Sequence, residues 1–122
     1  MKFKMIHMNV NVRDLDQSIQ FYKEALNLEV ARKSEHENFT LAYLEDVSKG
    51  FQLELTFLND HADHPYELGE NETHLCFETD DYDQAHKLHQ EMGVICFENN
   101  EMGLYFIEDP DGYWIEIVPA HE

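Results

Sequence analysis

Two histidines and two glutamates in this chain have the types and placement to hold a metal ion. His7, Glu54, His74 and Glu116 follow one another in the order His, Glu, His, Glu. Each sits in or beside a segment that alternates apolar and polar residues as a strand does. Glu54 lies within Leu53-Glu54-Leu55, and Glu116 within Tyr113-Trp114-Ile115-Glu116-Ile117-Val118. A carboxylate among such apolar neighbours needs a partner, because burying it alone costs several kcal/mol or forces its protonation. A divalent cation meets that need for both. Two neutral imidazoles and two carboxylates form a neutral donor set around a dication and leave positions for water. That suits an octahedral ion such as Ni²⁺, Co²⁺ or Zn²⁺. Taken singly, each of the four is more often an ordinary strand residue or half of an ion pair. Their weight comes from recurring together.

The elements that must position them also recur. His7-Met8-Asn9-Val10-Asn11-Val12 and His74-Leu75-Cys76-Phe77-Glu78-Thr79 read as strands, and seven residues after each histidine comes Asp14-Leu15-Asp16-Gln17 or Asp81-Tyr82-Asp83-Gln84. An Asp there caps a helix, with Gln three residues on as in a capping box. Leu15, Ile19, Tyr22 and Leu26 fall on one stripe of the first helix, and Tyr82, Ala85, Leu88 and Met92 on one stripe of the second. Asn27 and Gly93, which tolerate left-handed backbone, end them. Strand-like segments follow at Leu28–Arg32, Phe39–Leu44 and Phe51–Leu58, and again at Val94–Phe97, Leu104–Ile107 and Tyr113–Val118. The pattern predicts an α+β fold of two βαβββ modules, over about 3–58 and 72–119, in a single domain with a linker over about 59–71. Asp109-Pro110-Asp111-Gly112 predicts a turn ahead of the last strand.

Alternation assigns faces. In the first strand Ile6, Met8, Val10 and Val12 should meet the helix, with Met5, His7, Asn9 and Asn11 opposite. Phe51, Leu53, Leu55 and Phe57 form one face of the last strand of the first module, and Gln52, Glu54 and Thr56 the other. Each module thus presents one His and one Glu on a polar face.

Composition narrows the function classes. Eight Lys and Arg oppose 26 Asp and Glu, a formal charge of −18. Such a surface repels phosphate backbones and anionic bilayers, so neither nucleic acid nor membrane is expected as a partner. No apolar run approaches the roughly 20 residues that span a bilayer. The start, Met1 to His7, has no apolar stretch of the secretory kind, and a cytoplasmic location is expected. Cys76 and Cys96 form no C-x-x-C pair and are expected as buried free thiols.

The chain resembles the glyoxalase I (lactoylglutathione lyase) family of the vicinal oxygen chelate superfamily. The resemblance is carried by Met5-Ile6-His7, Asp14 to Tyr22, Leu53-Glu54-Leu55-Thr56, Tyr66-Glu67-Leu68-Gly69, His74 and Glu108 to Glu116. It implies the glyoxalase/bleomycin resistance/dihydroxybiphenyl dioxygenase-type fold and a homodimer with metal sites at the subunit interface. His7 and Glu54 of one chain would then join His74 and Glu116 of the other. It implies one divalent metal per site, Ni²⁺ or Co²⁺ ahead of Zn²⁺. The implied reaction isomerises the hemithioacetal of methylglyoxal and glutathione, or another thiol, to the S-lactoyl thioester through an enediolate. Glu116 matches the base position, and Glu54 would handle the other proton.

Asn11 and Leu58 stand where the resemblance implies an Arg and an Asn that hold the carboxylates of glutathione. Asn lacks the charged fork of Arg, so Arg32 or Lys87, or a thiol other than glutathione, is expected instead. His36, His61, His64, His86, His89 and His121 lack the repeat context; a solvated helix face is expected for His86 and His89. Tyr66, Trp114 and Phe57 are expected in core packing ahead of pocket lining. The competing functions are another enzyme of the superfamily, a thiol transferase or an epimerase, and a non-catalytic small-molecule-binding protein.

Overall fold

Asp14 and Asp81 begin both helices in the same way in the computed structural model, which describes residues 1–120 and so leaves His121 outside the described residues. Their carboxylates accept from the backbone N–H of Gln17 at 3.1 Å and of Gln84 at 3.2 Å, which satisfies a donor that a helix start leaves open. The helices are α1 (Leu15–Leu26) and α2 (Tyr82–Met92). They end where Asn27 and Gly93 turn left-handed, at φ 57° and 71°.

The chain divides into two compact units, one over Met1–Tyr66 and the other from Glu67, within the segment expected as a linker. The first unit holds β1 (His7–Val12), β2 (Glu29–Glu35), β3 (Phe39–Glu45) and β4 (Gln52–Leu58) in one sheet ordered β1-β4-β3-β2. The second holds β5 (Leu75–Thr79), β6 (Ile95–Asn99), β7 (Leu104–Glu108) and β8 (Trp114–Pro119), ordered β5-β8-β7-β6. The first and last strands of each unit pair in parallel and all other pairs are antiparallel. Each unit is therefore a βαβββ module, and the fold is α+β as expected.

In the first unit Val10, Val12, Ala42, Leu44, Leu53 and Leu55 are buried with Leu15, Ser18, Phe21, Tyr22 and Ala25 of α1. In the second, Tyr105, Ile107, Ile115, Ile117 and His89 are buried. The burial differs from the predicted stripes. Ile19 and Leu26 are only half covered, while small Ser18 and Ala25 face inward, where they let the helix come close to its sheet. In α2, Leu88 is 41% exposed and His89 only 2%. The expected solvated face is therefore wrong for His89. Its Nδ1 meets the hydroxyl of buried Tyr105 at 2.7 Å, and that hydrogen bond makes an inward imidazole affordable. His86 is half-buried and pairs with Glu98 at 2.5 Å. Two further expectations fail. Ile6 is 56% exposed because it precedes β1, and the thiols are not buried: Cys76 is exposed and Cys96 half-buried, both free.

Both modules share a β-bulge that alternation did not reveal. Val30 pairs with Leu44 but Arg32 with Tyr43; Ile95 pairs with Ile107 but Phe97 with Phe106. The extra residue moves Arg32 and Phe97 to the face opposite the core. Among the described residues no helix is long and apolar enough to cross a membrane.

Candidate metal centre

The register sets the site. In the parallel pair β1·β4, Asn9 lies opposite Glu54, so His7, two residues earlier on the same face, meets Glu54 diagonally; His7 Nε2 is 3.7 Å from Glu54 Oε1. In β5·β8, Cys76 lies opposite Glu116, and His74, just ahead of β5, meets Glu116 on the same diagonal at 3.0 Å. The glutamates are largely covered, with side-chain exposures of 13% and 20%, while the imidazoles stay more open at 37% and 29%. An aromatic ring on the middle strand packs edge-on against each imidazole: Tyr43 against His7 at 5.7 Å and Phe106 against His74 at 4.9 Å.

The turn before β8 aims Glu116. Asp109 is 4% exposed, and its Oδ1 accepts from the backbone N–H of Asp111 at 2.9 Å and of Tyr113 at 3.0 Å. Gly112 takes φ 94°, a conformation that side chains resist. From the other side Asn71 donates to the Gly112 carbonyl at 3.1 Å and accepts from Trp114 N–H at 3.3 Å. Residues far apart in sequence thus fix where β8 starts, and with it which face Glu116 occupies.

The donor set fits a divalent ion. With bonds of about 2.1 Å at right angles, neighbouring ligands of one ion lie about 3 Å apart, which is the spacing of His74 and Glu116 and a little under that of His7 and Glu54. Each module supplies one nitrogen and one oxygen. Among the described residues no group of three or more His, Cys, Asp or Glu gathers around one point; the four predicted ligands lie as two pairs, one in each unit.

The two faces differ in chemistry, which sequence reading missed. A row of facing residues crosses the first sheet as Arg32, Tyr43, Glu54, Asn9, and the matching row of the second is Phe97, Phe106, Glu116, Cys76. Tyr43 donates its hydroxyl hydrogen bond to Glu54 Oε2, and the Arg32 guanidinium lies over the Tyr43 ring at 4.2 Å. The hydrogen bond to Glu54, then burial, hold the Tyr43 phenol above its ordinary 10.0. In the second row Phe106 has no hydroxyl to give. Partial desolvation of this otherwise exposed side chain first, then the charge of Glu116, raise the Cys76 thiol above its ordinary 9.0. Trp114, expected in core packing, is on this face and stacks with Phe97 at 6.2 Å. It lies two residues from Glu116 along one strand, and that spacing was the available signal. Tyr66 stacks on His61 at 3.8 Å, and Phe57 is half-buried. Arg32 shares the face of His7 and Glu54, whereas Lys87 is exposed on α2.

Comparison with known proteins agrees with this fold. Residues 4–117 match the Glyoxalase/Bleomycin resistance protein/Dioxygenase superfamily. The chain is 34% identical to the lactoylglutathione lyase of Haemophilus influenzae, over 94% of this chain and 91% of that protein. It is 31% identical to that of Escherichia coli O157:H7 over the same shares. The fold is similar to that of the trypanothione-dependent glyoxalase I of Leishmania major, with a TM-score of 0.85 and 30% identity, covering 97% of this chain and 87% of that one. Two modules of one topology run the length of the match, and the chain belongs to the Glyoxalase/Bleomycin resistance protein/Dioxygenase superfamily.

Proposed function

We propose that this chain is a glyoxalase I that depends on a divalent metal, converting the hemithioacetal of a 2-oxoaldehyde such as methylglyoxal and a thiol into the 2-hydroxyacyl thioester. The observation that carries the reading is the repeated diagonal: His7 with Glu54 and His74 with Glu116, in one register, with N–O separations of 3.7 and 3.0 Å. His7, Glu54, His74 and Glu116 are the proposed ligands, one pair from each module. In the proposed homodimer, His7 and Glu54 of one subunit face the His74 and Glu116 pair of the other. Ni²⁺ or Co²⁺ is the proposed ion, with Zn²⁺ the alternative.

A dication there supplies positive charge beside the substrate oxygens on which negative charge develops. Glu116 takes the proton from the carbon that bears sulfur and hydroxyl, and returns it to the neighbouring former carbonyl carbon. The hydroxyl of the first carbon becomes the thioester carbonyl, and the ketone oxygen gains a proton. The isomerisation needs no external oxidant or reductant. Phe97, Phe106 and Trp114 offer an apolar wall on the Glu116 face, which favours exclusion of water during proton transfer. Two free thiols without a pairing partner suit a reducing cytoplasm.

The test is metal-stripped protein with methylglyoxal and glutathione, reconstituted with Ni²⁺ and separately with Zn²⁺. Thioester formation is expected with Ni²⁺. Glu116→Gln should lower turnover at saturating Ni²⁺ by at least about 100-fold, the scale of a positioned general base. Full turnover in that variant removes Glu116 from the role. No turnover with any thiol or metal defeats the proposal.

A further inference from the structure

The two glutamates that the repeat makes equivalent have unlike surroundings. Glu54 Oε2 accepts from the Tyr43 hydroxyl. Asn9, opposite Glu54 in the register, is placed to act on the other oxygen. With its amide nitrogen turned toward β4, it donates to Glu54 Oε1 at 3.1 Å and to Thr56 Oγ1 at 2.5 Å. Arg32 covers the Tyr43 ring and holds that side chain in place. At the same positions around Glu116 stand Phe106, Cys76 and Phe97. A phenyl ring donates no conventional hydrogen bond and a thiol only a weak one, so the neighbour recorded on Glu116 is His74.

Hydrogen bonds to a ligating carboxylate orient it, and they also occupy lone pairs that a base must have free. We infer that Tyr43, supported by Asn9 and Arg32, is a positioning residue that commits Glu54 to holding the metal, so that proton transfer falls to Glu116 alone. This rests on the glyoxalase reading and departs from the expectation that Glu54 shares the proton work. The same reasoning explains how identical His–Glu diagonals take up different tasks. The first module's face is built of donors that fix a ligand. The second is built of apolar groups that leave a carboxylate oxygen free to accept.

Tyr43→Phe tests this, because Phe106 shows that a phenyl ring fits the equivalent place. Calorimetric titration of the metal-free protein with Ni²⁺ should give a Kd about 10- to 100-fold weaker than the parent chain, the usual cost of removing such a supporting hydrogen bond. In the Glu116→Gln background at saturating Ni²⁺, Tyr43→Phe should raise residual turnover about tenfold, since it frees Glu54 to accept a proton. A role in packing alone could weaken Ni²⁺ binding, since Tyr43 packs against His7, but would not raise turnover in the double variant. The reciprocal Phe106→Tyr places a hydroxyl beside Glu116 and should lower kcat about tenfold while Ni²⁺ affinity holds or rises. Parent-like Ni²⁺ affinity in Tyr43→Phe, or no gain in the double variant, overturns the inference while leaving the metal reading intact. Absence of Ni²⁺ binding by the unaltered protein overturns both.

Discussion

Tyr105→Phe removes one oxygen atom from the second module, and its cost can be worked from the structure. Tyr105 is fully buried and His89 is 2% exposed, and their hydroxyl–Nδ1 contact is 2.7 Å. The ring stays in place among Tyr82 at 5.5 Å and His86 at 5.0 Å, so apolar burial is nearly unchanged. What is lost is a buried hydrogen bond, and an imidazole nitrogen is left without its hydroxyl. The cost is about 1–3 kcal/mol, or a fall of roughly 3–15 °C in Tm for a protein of this size. Removing both polar groups should cost less than the sum of the single losses, because no buried partner is stranded. His89→Leu with Tyr105→Phe should therefore show a coupling of at least about 1 kcal/mol in a double-mutant cycle. Trp114 is the only tryptophan and lies in the second unit, so urea unfolding followed by its fluorescence reports on the affected module. Tyr105→Phe within about 0.5 kcal/mol of the parent, or strict additivity in the cycle, refutes the assignment of His89 as a hydrogen-bonded core residue.

Two further outcomes follow from the same contacts. Asp109→Ala strips a charged acceptor from the N–H groups of Asp111 and Tyr113; it should destabilise the chain by about 2–4 kcal/mol. Asp109→Asn, which keeps an acceptor oxygen, should cost less, and chemical denaturation ranks the two. At alkaline pH, burial raises the Tyr105 phenol above its ordinary 10.0 and pushes the Cys96 thiol from 9.0 to about 11. A raised folded pKa on these acids means that the folded state favours their neutral form. That contribution is complete below pH 9 and declines as pH rises from 9 through 11 for Cys96, and from 10 upward for Tyr105. Each group adds a slope of up to about 1.4 kcal/mol per pH unit in its window. Cys96→Ala should flatten the profile between pH 9 and 11, as denaturant midpoints across that range will show.

Much of this was legible because the chain states its plan twice. The capping aspartates, the left-handed helix ends and the order of strands follow from local chemistry, and local chemistry is written in adjacent residues. The side on which His7 and Glu54 lie follows from simple alternation, since β1 and β4 are regular. Alternation failed where regularity failed. The bulge beside Ala31 turns Arg32 away from the face that counting from Val30 assigns, and the bulge beside Cys96 does the same for Phe97. Periodicity also misread α2, because a hydropathy pattern scores histidine as polar and leucine as apolar. His89 is inside because a tyrosine hydroxyl from β7 waits there, a pairing between residues 16 apart in sequence.

The rows around the two glutamates show why a repeat must be read through its register. Superposing the modules by sequence aligns the proposed ligands, because both modules carry a His and a Glu, and suggests equal roles. Superposing them by strand pairing aligns the neighbours, and those are not retained: Tyr43 against Phe106, Asn9 against Cys76, Arg32 against Phe97. Ligand identity decides that an ion can be held, whereas the groups beside each ligand decide what else that ligand can do. On the proposed reading, a few differences at facing positions are enough to separate holding a metal from proton transfer. In this chain those positions lie on the strands that flank each glutamate, where a hydroxyl or an amide reaches one carboxylate and apolar groups surround the other.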